Sequence, residues 1–172
     1  FINCSAKFQG PNDAIVNGMG MVAQHFKLVN EFTLLQNIIL GAEPTKRGIL
    51  DINTAYQKVK KICKKYGLEV DLNIKVKDAS VADQQKAEIL KLLYRDLDIL
   101  IFDEPTAVLT PQEITELINI IRNLTKEGKS VIIITHKLKE IKSIADHCTV
   151  IRRGRYIDTV KVSDVTENDL AE

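Results

Sequence analysis

Ile99-Leu-Ile-Phe-Asp103-Glu104-Pro105 decides how this chain reads. The apolar run from Ile99 to Phe102 ends at once in two adjacent carboxylates. A short, continuous apolar run of this kind predicts a strand buried on both faces of a parallel sheet. Downstream, Val131-Ile-Ile-Ile-Thr135-His136 repeats the pattern, with a histidine just past the apolar run. Between the two, Pro111 to Glu127 places Ile114, Leu117, Ile118, Ile121 and Leu124 at three- and four-residue steps, the period of a helix with one buried face. Thr110 can cap that helix, Pro111 suits its first position, Glu113 completes a capping box, and Gly128 stops it. Strand, helix, strand over this length is a βαβ crossover.

Outward from this unit the pattern changes. Leu138 to Ala145 reads as a helix, followed by a hairpin of Thr149–Arg152 and Tyr156–Val160 turned at Arg153-Gly154. Upstream, helices are predicted over Thr33–Leu40, Ile52–Tyr66 and Val81–Arg95, the last capped by Ser80. At the start, Phe1–Phe8 and Met19–Ala23 read as strands, separated by a short helix begun at Pro11-Asn12-Asp13. The expected organisation is an α/β sheet layer, residues 1–32 and 96–172, carrying an all-helical insertion over 33–95.

Composition narrows the function. The 24 Lys+Arg balance 23 Asp+Glu, and a net charge of +1 argues against a surface built for nucleic-acid phosphates. Lys58, Lys60, Lys61, Lys64 and Lys65 form the one basic cluster. Val59, Ile62, Cys63 and Tyr66 make the opposite face and no aromatics interleave, so the lysines read as the solvated side of an amphipathic helix. No apolar run approaches the roughly 18–20 residues that span a bilayer. Cys4, Cys63 and Cys148 form no close pair, which fits a reducing compartment better than a disulfide scaffold. The chain begins at Phe1 without a signal-peptide pattern, so the text is expected to open mid-domain.

A strand delivering two carboxylates at its carboxyl end places them at the ligand crevice of an open α/β sheet. Side chains alternate along a strand, so Asp103 and Glu104 have different tasks. One suits holding Mg²⁺ through water, the other polarising an attacking water. An isolated Asp-Glu also reads as a pair of ordinary exposed acids. His136, ending the neighbouring strand, can reach the same crevice and hydrogen-bond a phosphate oxygen. His25 and His147 have no comparable placement.

The order of features is specific. Gln24 follows an early strand, a helical insertion comes next, and Ser80-Val81-Ala82-Asp83-Gln84-Gln85 opens a helix before the Asp103-Glu104 and His136 strands. This resembles the nucleotide-binding domain of ABC transporters, a P-loop NTPase fold with an all-helical signature subdomain, over essentially the whole chain. Gly18-Met-Gly-Met-Val-Ala-Gln-His-Phe26, Ala87-Glu-Ile-Leu-Lys91 and Asp103-Glu-Pro-Thr-Ala-Val-Leu-Thr-Pro-Gln-Glu113 are close to the wording of the ATP-binding subunit of bacterial nucleoside and simple-sugar importers. The resemblance implies ATP and Mg²⁺ as ligands and hydrolysis by positioning and charge stabilisation. Gln24 matches the Q-loop glutamine, which senses Mg²⁺ and the attacking water. Asp103 matches the Mg²⁺-binding Walker B aspartate, Glu104 the general base and His136 the switch histidine. Ser80, Val81, Ala82, Asp83 and Gln84 match the signature that grips ATP held by the opposite domain, which fits free amides at a helix N-terminus. Ala107 to Thr110 match the D-loop at the dimer interface. The implied partners are a second ABC ATPase domain, membrane-spanning permease subunits and, indirectly, a solute-binding protein, at the cytoplasmic face of the bacterial plasma membrane. The alternative is a non-transport ABC ATPase of translation, DNA repair or chromosome work, which would be expected to show a basic surface or a coiled-coil insertion.

Three places depart from the family pattern: the phosphate-binding loop, the signature, and the D-loop, where Thr110 stands at the aspartate position. The phosphate-binding motif G-x-x-x-x-G-K-[ST] does not occur and is expected upstream of the first strand, leaving the ATPase fold incomplete at the N-terminus and this segment inactive alone. Asn123-Leu-Thr-Lys-Glu-Gly128-Lys129-Ser130 imitates it with Asn in the first glycine position, but in a reversed context, leaving a helix and entering a strand. In the signature, Val81 and Ala82 stand at the glycine positions, and the Ala82 methyl sits where backbone should approach phosphate.

Overall fold

A computed structural model of the chain describes residues 8–171; the expected strand over 1–8 lies almost wholly outside them. A short helix α1 (Pro11–Val16) leads into β1 (Met19–Val22). Helix α2 (Leu34–Ile39), a hairpin of β2 (Thr45–Lys46) and β3 (Ile49–Leu50), α3 (Ile52–Tyr66) and α4 (Val81–Tyr94) follow. Then come β4 (Ile99–Asp103), α5 (Pro111–Lys126), β5 (Ser130–Ile134), α6 (Leu138–Ile144), the hairpin β6 (His147–Arg152) and β7 (Arg155–Lys161), and α7 (Glu167–Ala171). The two-residue strands make the insertion not entirely helical, a difference that arises because Arg47 and Gly48 turn with positive φ between them.

Local signals set the boundaries. Thr33 caps α2 in a capping box with Gln36, and Asp51 accepts the Thr54 N–H at the start of α3. Ser80 caps α4, and Thr110 with Glu113 forms the box expected at α5. Gly67, at φ 70°, ends α3 in the left-handed region that its lack of a Cβ permits.

The sheet has the order β1-β4-β5, all parallel, with Gly20 opposite Leu100 and Leu100 opposite Val131. Val22, Leu100 and Phe102 are fully buried on one face, in a single cluster with α5's Leu117, Ile121 and Leu124 and the interiors of α2, α3 and α4. The other face differs from expectation. Met21, Ile132 and Ile134 are about half exposed, so the sheet is covered on one side only, and among the described residues β5 pairs with β4 alone. An apolar run fixes a strand's preference for burial but not how many of its faces find a partner.

Helix α4 ties the two parts together. It packs on α2, α3 and β1. At that seam a Cβ on Gly20 would come within 2.4 Å of a Leu97 methyl and 2.7 Å of a Leu92 methyl, so any larger residue there would have to displace those side chains.

Candidate functional site

The carboxyl ends of the three parallel strands bring Gln24, Glu104 and His136 together. Gln24 lies just past β1, and its Nε2 donates to Glu104 Oε2 at 3.2 Å. His136 lies just past β5, with Nδ1 3.1 Å from Glu104 Oε1. The tautomer that carries its proton on Nδ1 therefore donates to the carboxylate. Glu104 owes this placement to its backbone: φ is +44°, in the left-handed region, while its N–H still donates to Ile134 O at 2.8 Å. A non-glycine residue held there costs on the order of 1–3 kcal/mol, which the surrounding structure must supply. The strain takes the side chain off the strand's alternation and sets both its oxygens under donors.

Asp103, the last residue of β4, is half-buried, and its carboxylate has no hydrogen bond or ion pair among the described residues. No cluster of three or more His, Cys, Asp or Glu exists there to cage a metal. That donor set fits Mg²⁺, which takes one or two carboxylates and completes its shell with phosphates and waters.

The turn after Glu104 is braced. Thr106, buried, donates to Glu140 Oε1 at 2.6 Å, and Thr135 donates to Glu140 Oε2 at 3.2 Å. Lys137 Nζ donates to Thr106 O at 3.0 Å. The loops bearing Glu104 and His136 are thus fastened to one another through α6. The links to Thr106 join residues more than thirty apart in sequence, and no spacing in the chain announces them.

The signature-like residues stand apart from this cluster. Ser80 Oγ donates to Asp83 Oδ2 at 2.8 Å and accepts the Asp83 N–H, while Gln84 donates to Val76 O and Ala79 O. Val81 is exposed. Among the described residues, none of Ser80, Val81, Ala82, Asp83 and Gln84 is hydrogen-bonded to Gln24, Glu104 or His136. The next turn of α4 does reach the site's loops, through two buried residues that pattern reading passed over, Gln85 and Glu88. Their signal was polar character at three- and four-residue steps with Leu92, on a buried helix face.

The phosphate-loop imitation is structural. Gly128 has φ 84°, past the end of α5, and Lys129 Nζ donates to Asp96 and Asp98 at 3.1 and 3.0 Å. Burial alone would lower the Lys129 pKa, but the hydrogen bonds to Asp98 and Asp96 outweigh it and the net shift is upward. Lys129 is committed to its own carboxylates. The lysine face of α3 is likewise solvated, with Lys58 Nζ donating to Tyr94 O and Lys65 paired with Glu127.

A parallel sheet with a glutamine, an Asp-Glu pair and a histidine at its strand ends, and a helix-rich insertion between the first two, defines an ATP-binding cassette. The chain belongs to the ABC transporter family, whose profile matches residues 7–107. It is 58% identical to the nucleoside import ATP-binding protein NupA of Lactococcus lactis subsp. cremoris over 94% of its own length, and 58% identical to the guanosine import ATP-binding protein NupO of Bacillus subtilis over 94%. It spans about a third of the length of these relatives, 32% in each case. A putative carbohydrate transport ATP-binding protein of Mycoplasma pneumoniae is 43% identical. Among solved structures, an ADP-bound ATP-binding cassette of an ABC transporter superimposes with a TM-score of 0.76 at 22% identity, over 94% of this chain and 68% of that one. A dimeric cassette bound to ADP and phosphate superimposes with 0.73 at 21%, over 88% of this chain and 66% of that one. At those identities the likeness is one of fold.

Proposed function

We propose that the whole protein is the ATP-binding subunit of an importer of nucleosides or simple sugars, and that it couples ATP hydrolysis to solute entry. The observation that carries this reading is the Gln24–Glu104–His136 contact, two hydrogen bonds of 3.2 and 3.1 Å converging on one carboxylate at the strand ends. In this reading Glu104 takes the proton of the attacking water, and Gln24 and His136 hold the carboxylate in the orientation that does so. Asp103 holds Mg²⁺, which when bound neutralises charge on the transferred phosphoryl group. Ser80, Val81, Ala82, Asp83 and Gln84 face the nucleotide of an opposite domain. Residues 1–32 and 96–172 form the ATPase core and 33–95 the signature subdomain. The partners are a second ABC ATPase domain, membrane-spanning permease subunits and, indirectly, a solute-binding protein, at the cytoplasmic face of the membrane. The relatives named for nucleoside import support the nucleoside alternative over sugars, at 58% against 43% identity.

ATP turnover by the whole protein, with and without Glu104→Gln, tests the reading. A general base contributes about 10²–10⁴-fold, so Glu104→Gln should reduce kcat by at least about a hundredfold while nucleotide binding persists. Equal turnover by both proteins would remove Glu104 from its role. The 172-residue chain alone is expected to show no steady turnover, and Glu104-dependent hydrolysis by it would contradict that.

A further inference from the structure

Three loops carry the converging side chains, and two of them, those of Gln24 and Glu104, are tied to the same turn of α4. Glu88, 6% exposed, accepts the backbone N–H of Lys27 on Oε1 at 3.0 Å, three residues past Gln24. Gln85, 3% exposed, donates from Nε2 to the carbonyl of Pro105 at 2.6 Å, one residue past Glu104. The loop after Gln24 has a further anchor in Asn37, 1% exposed, which accepts the Val29 N–H at 2.7 Å and donates to Val29 O. Buried polar groups cost stability unless paired, and each of these is paired with backbone of a site loop. Gln85 and Glu88 lie at i and i+3, hence on one face of the helix that begins at the signature.

We infer that Gln85 and Glu88 are positioning residues, which hold the Gln24 loop and the Glu104 turn in register and make any tilt of α4 move both together. The inference rests on the ATPase reading above and assigns its geometry to a specific pair. With the Glu88 tether cut, the Lys27 N–H loses its acceptor and Gln24 is no longer held against Glu104. ATP still binds, because neither residue bonds to a residue expected to touch nucleotide.

The test is steady-state kinetics on the whole protein. Glu88→Ala should lower kcat about tenfold with KM for ATP changed less than about twofold, and Glu88→Gln, which keeps an oxygen acceptor, should restore kcat to within about twofold. In a Gln24→Ala background, Glu88→Ala should add less than about twofold, since the residue acts through Gln24. Gln85→Met, similar in size without the donor, should likewise lower kcat and spare KM. Full multiplication of the Glu88 and Gln24 effects would overturn the inference, as would a Glu88→Gln protein as impaired as Glu88→Ala. Amide exchange at Lys27 gives a readout without turnover: protected in the native protein and in Glu88→Gln, faster in Glu88→Ala. Equal exchange in all three overturns the tether. If Glu88→Ala does not fold, Glu88→Met replaces it in every arm. Loss of the ATPase reading would appear separately, as native turnover no greater than that of Glu104→Gln, and the Lys27 exchange would still decide the tether.

Discussion

The helical insertion and the sheet treat apolar surface in opposite ways. Across α2, α3 and the segment between α3 and α4, Leu34, Ile38, Ala55, Val59, Leu68 and Val76 are all at or below 1% exposure, and the lysines of α3 face outward. These side chains share one buried cluster with the covered face of the sheet. The sheet closes one face only. Val22, Leu100 and Phe102 are at 1% or less, whereas Ile132 and Ile134 on the reverse face keep about half their surface in contact with solvent. Parallel sheets are ordinarily covered on both sides, and a contiguous exposed apolar face marks a packing surface. The difference shows that the helices of the insertion bury their apolar faces against one another and against the covered face of the sheet, and that the sheet's sequence specifies a layer with one side still to be packed.

The largest effect should come from the closed region. Ile38→Ala removes a fully buried side chain and should destabilise the chain by about 2–5 kcal/mol, read from urea unfolding by circular dichroism. Ile132→Ala, the same chemistry on the open face, should cost less than about 1 kcal/mol, because much less apolar surface is removed from water in the first place. Equal costs at the two positions would break the comparison. The same Ile132→Ala change in the whole protein sharpens it: a cost rising toward the Ile38 value would show that the reverse face is covered there.

The seam between the regions should be intermediate. Gly20→Ala drives a methyl against the Leu92 and Leu97 side-chain ends, which must shift to admit it, and overpacking of this kind costs about 1–3 kcal/mol. A substitution there without effect on unfolding would mean that α4 rides loosely on β1.

What could be read from the chain divides along the same line. Ser80, Thr110 and the apolar steps of α3 and α5 act within a few residues of themselves, so caps and periods placed those helices to within a residue or two. Arg153 and Gly154, both with positive φ, turn the β6–β7 hairpin where the dipeptide said they would. Asp103, Glu104, His136 and Gln24 were legible as a set because their order along the chain carries a family resemblance. The left-handed backbone of Glu104 was not, since Asp-Glu-Pro reads as an ordinary strand end. Nor were the bonds of Gln85 to Pro105, Glu88 to Lys27 and Glu140 to Thr106, whose partners lie twenty or more residues away. Long-range pairing is written in no local pattern.

A small effect should also lie at the start of α5, the helix that covers the closed face of the sheet. Thr110→Ala removes the cap that accepts the Glu113 N–H, at about 1 kcal/mol, the usual loss for an N-cap. Its partner gives the change a pH signature. The Thr110 backbone N–H first, and the Thr110 hydroxyl second, hold the Glu113 carboxyl below the ordinary glutamate value of 4.5. A carboxylate lowered in the folded state contributes stability above its unfolded pKa, and that contribution is lost as pH falls from about 4.5 through the folded value. Glu113→Gln keeps a side chain able to complete the box but cannot titrate, so its unfolding free energy should fall less between pH 5 and pH 3 than that of the native chain. Because the sheet's covered face depends on α5, this acid sensitivity should appear in the unfolding of β4 and β5. The helical insertion has a charged cap of its own in Asp51, whose carboxyl the Thr54 N–H and then the Thr54 hydroxyl hold below the ordinary aspartate value of 3.8. Its own loss should therefore begin only as pH falls below about 3.8, and should survive Glu113→Gln. A change in both regions on Glu113→Gln would show that they unfold as one cooperative unit.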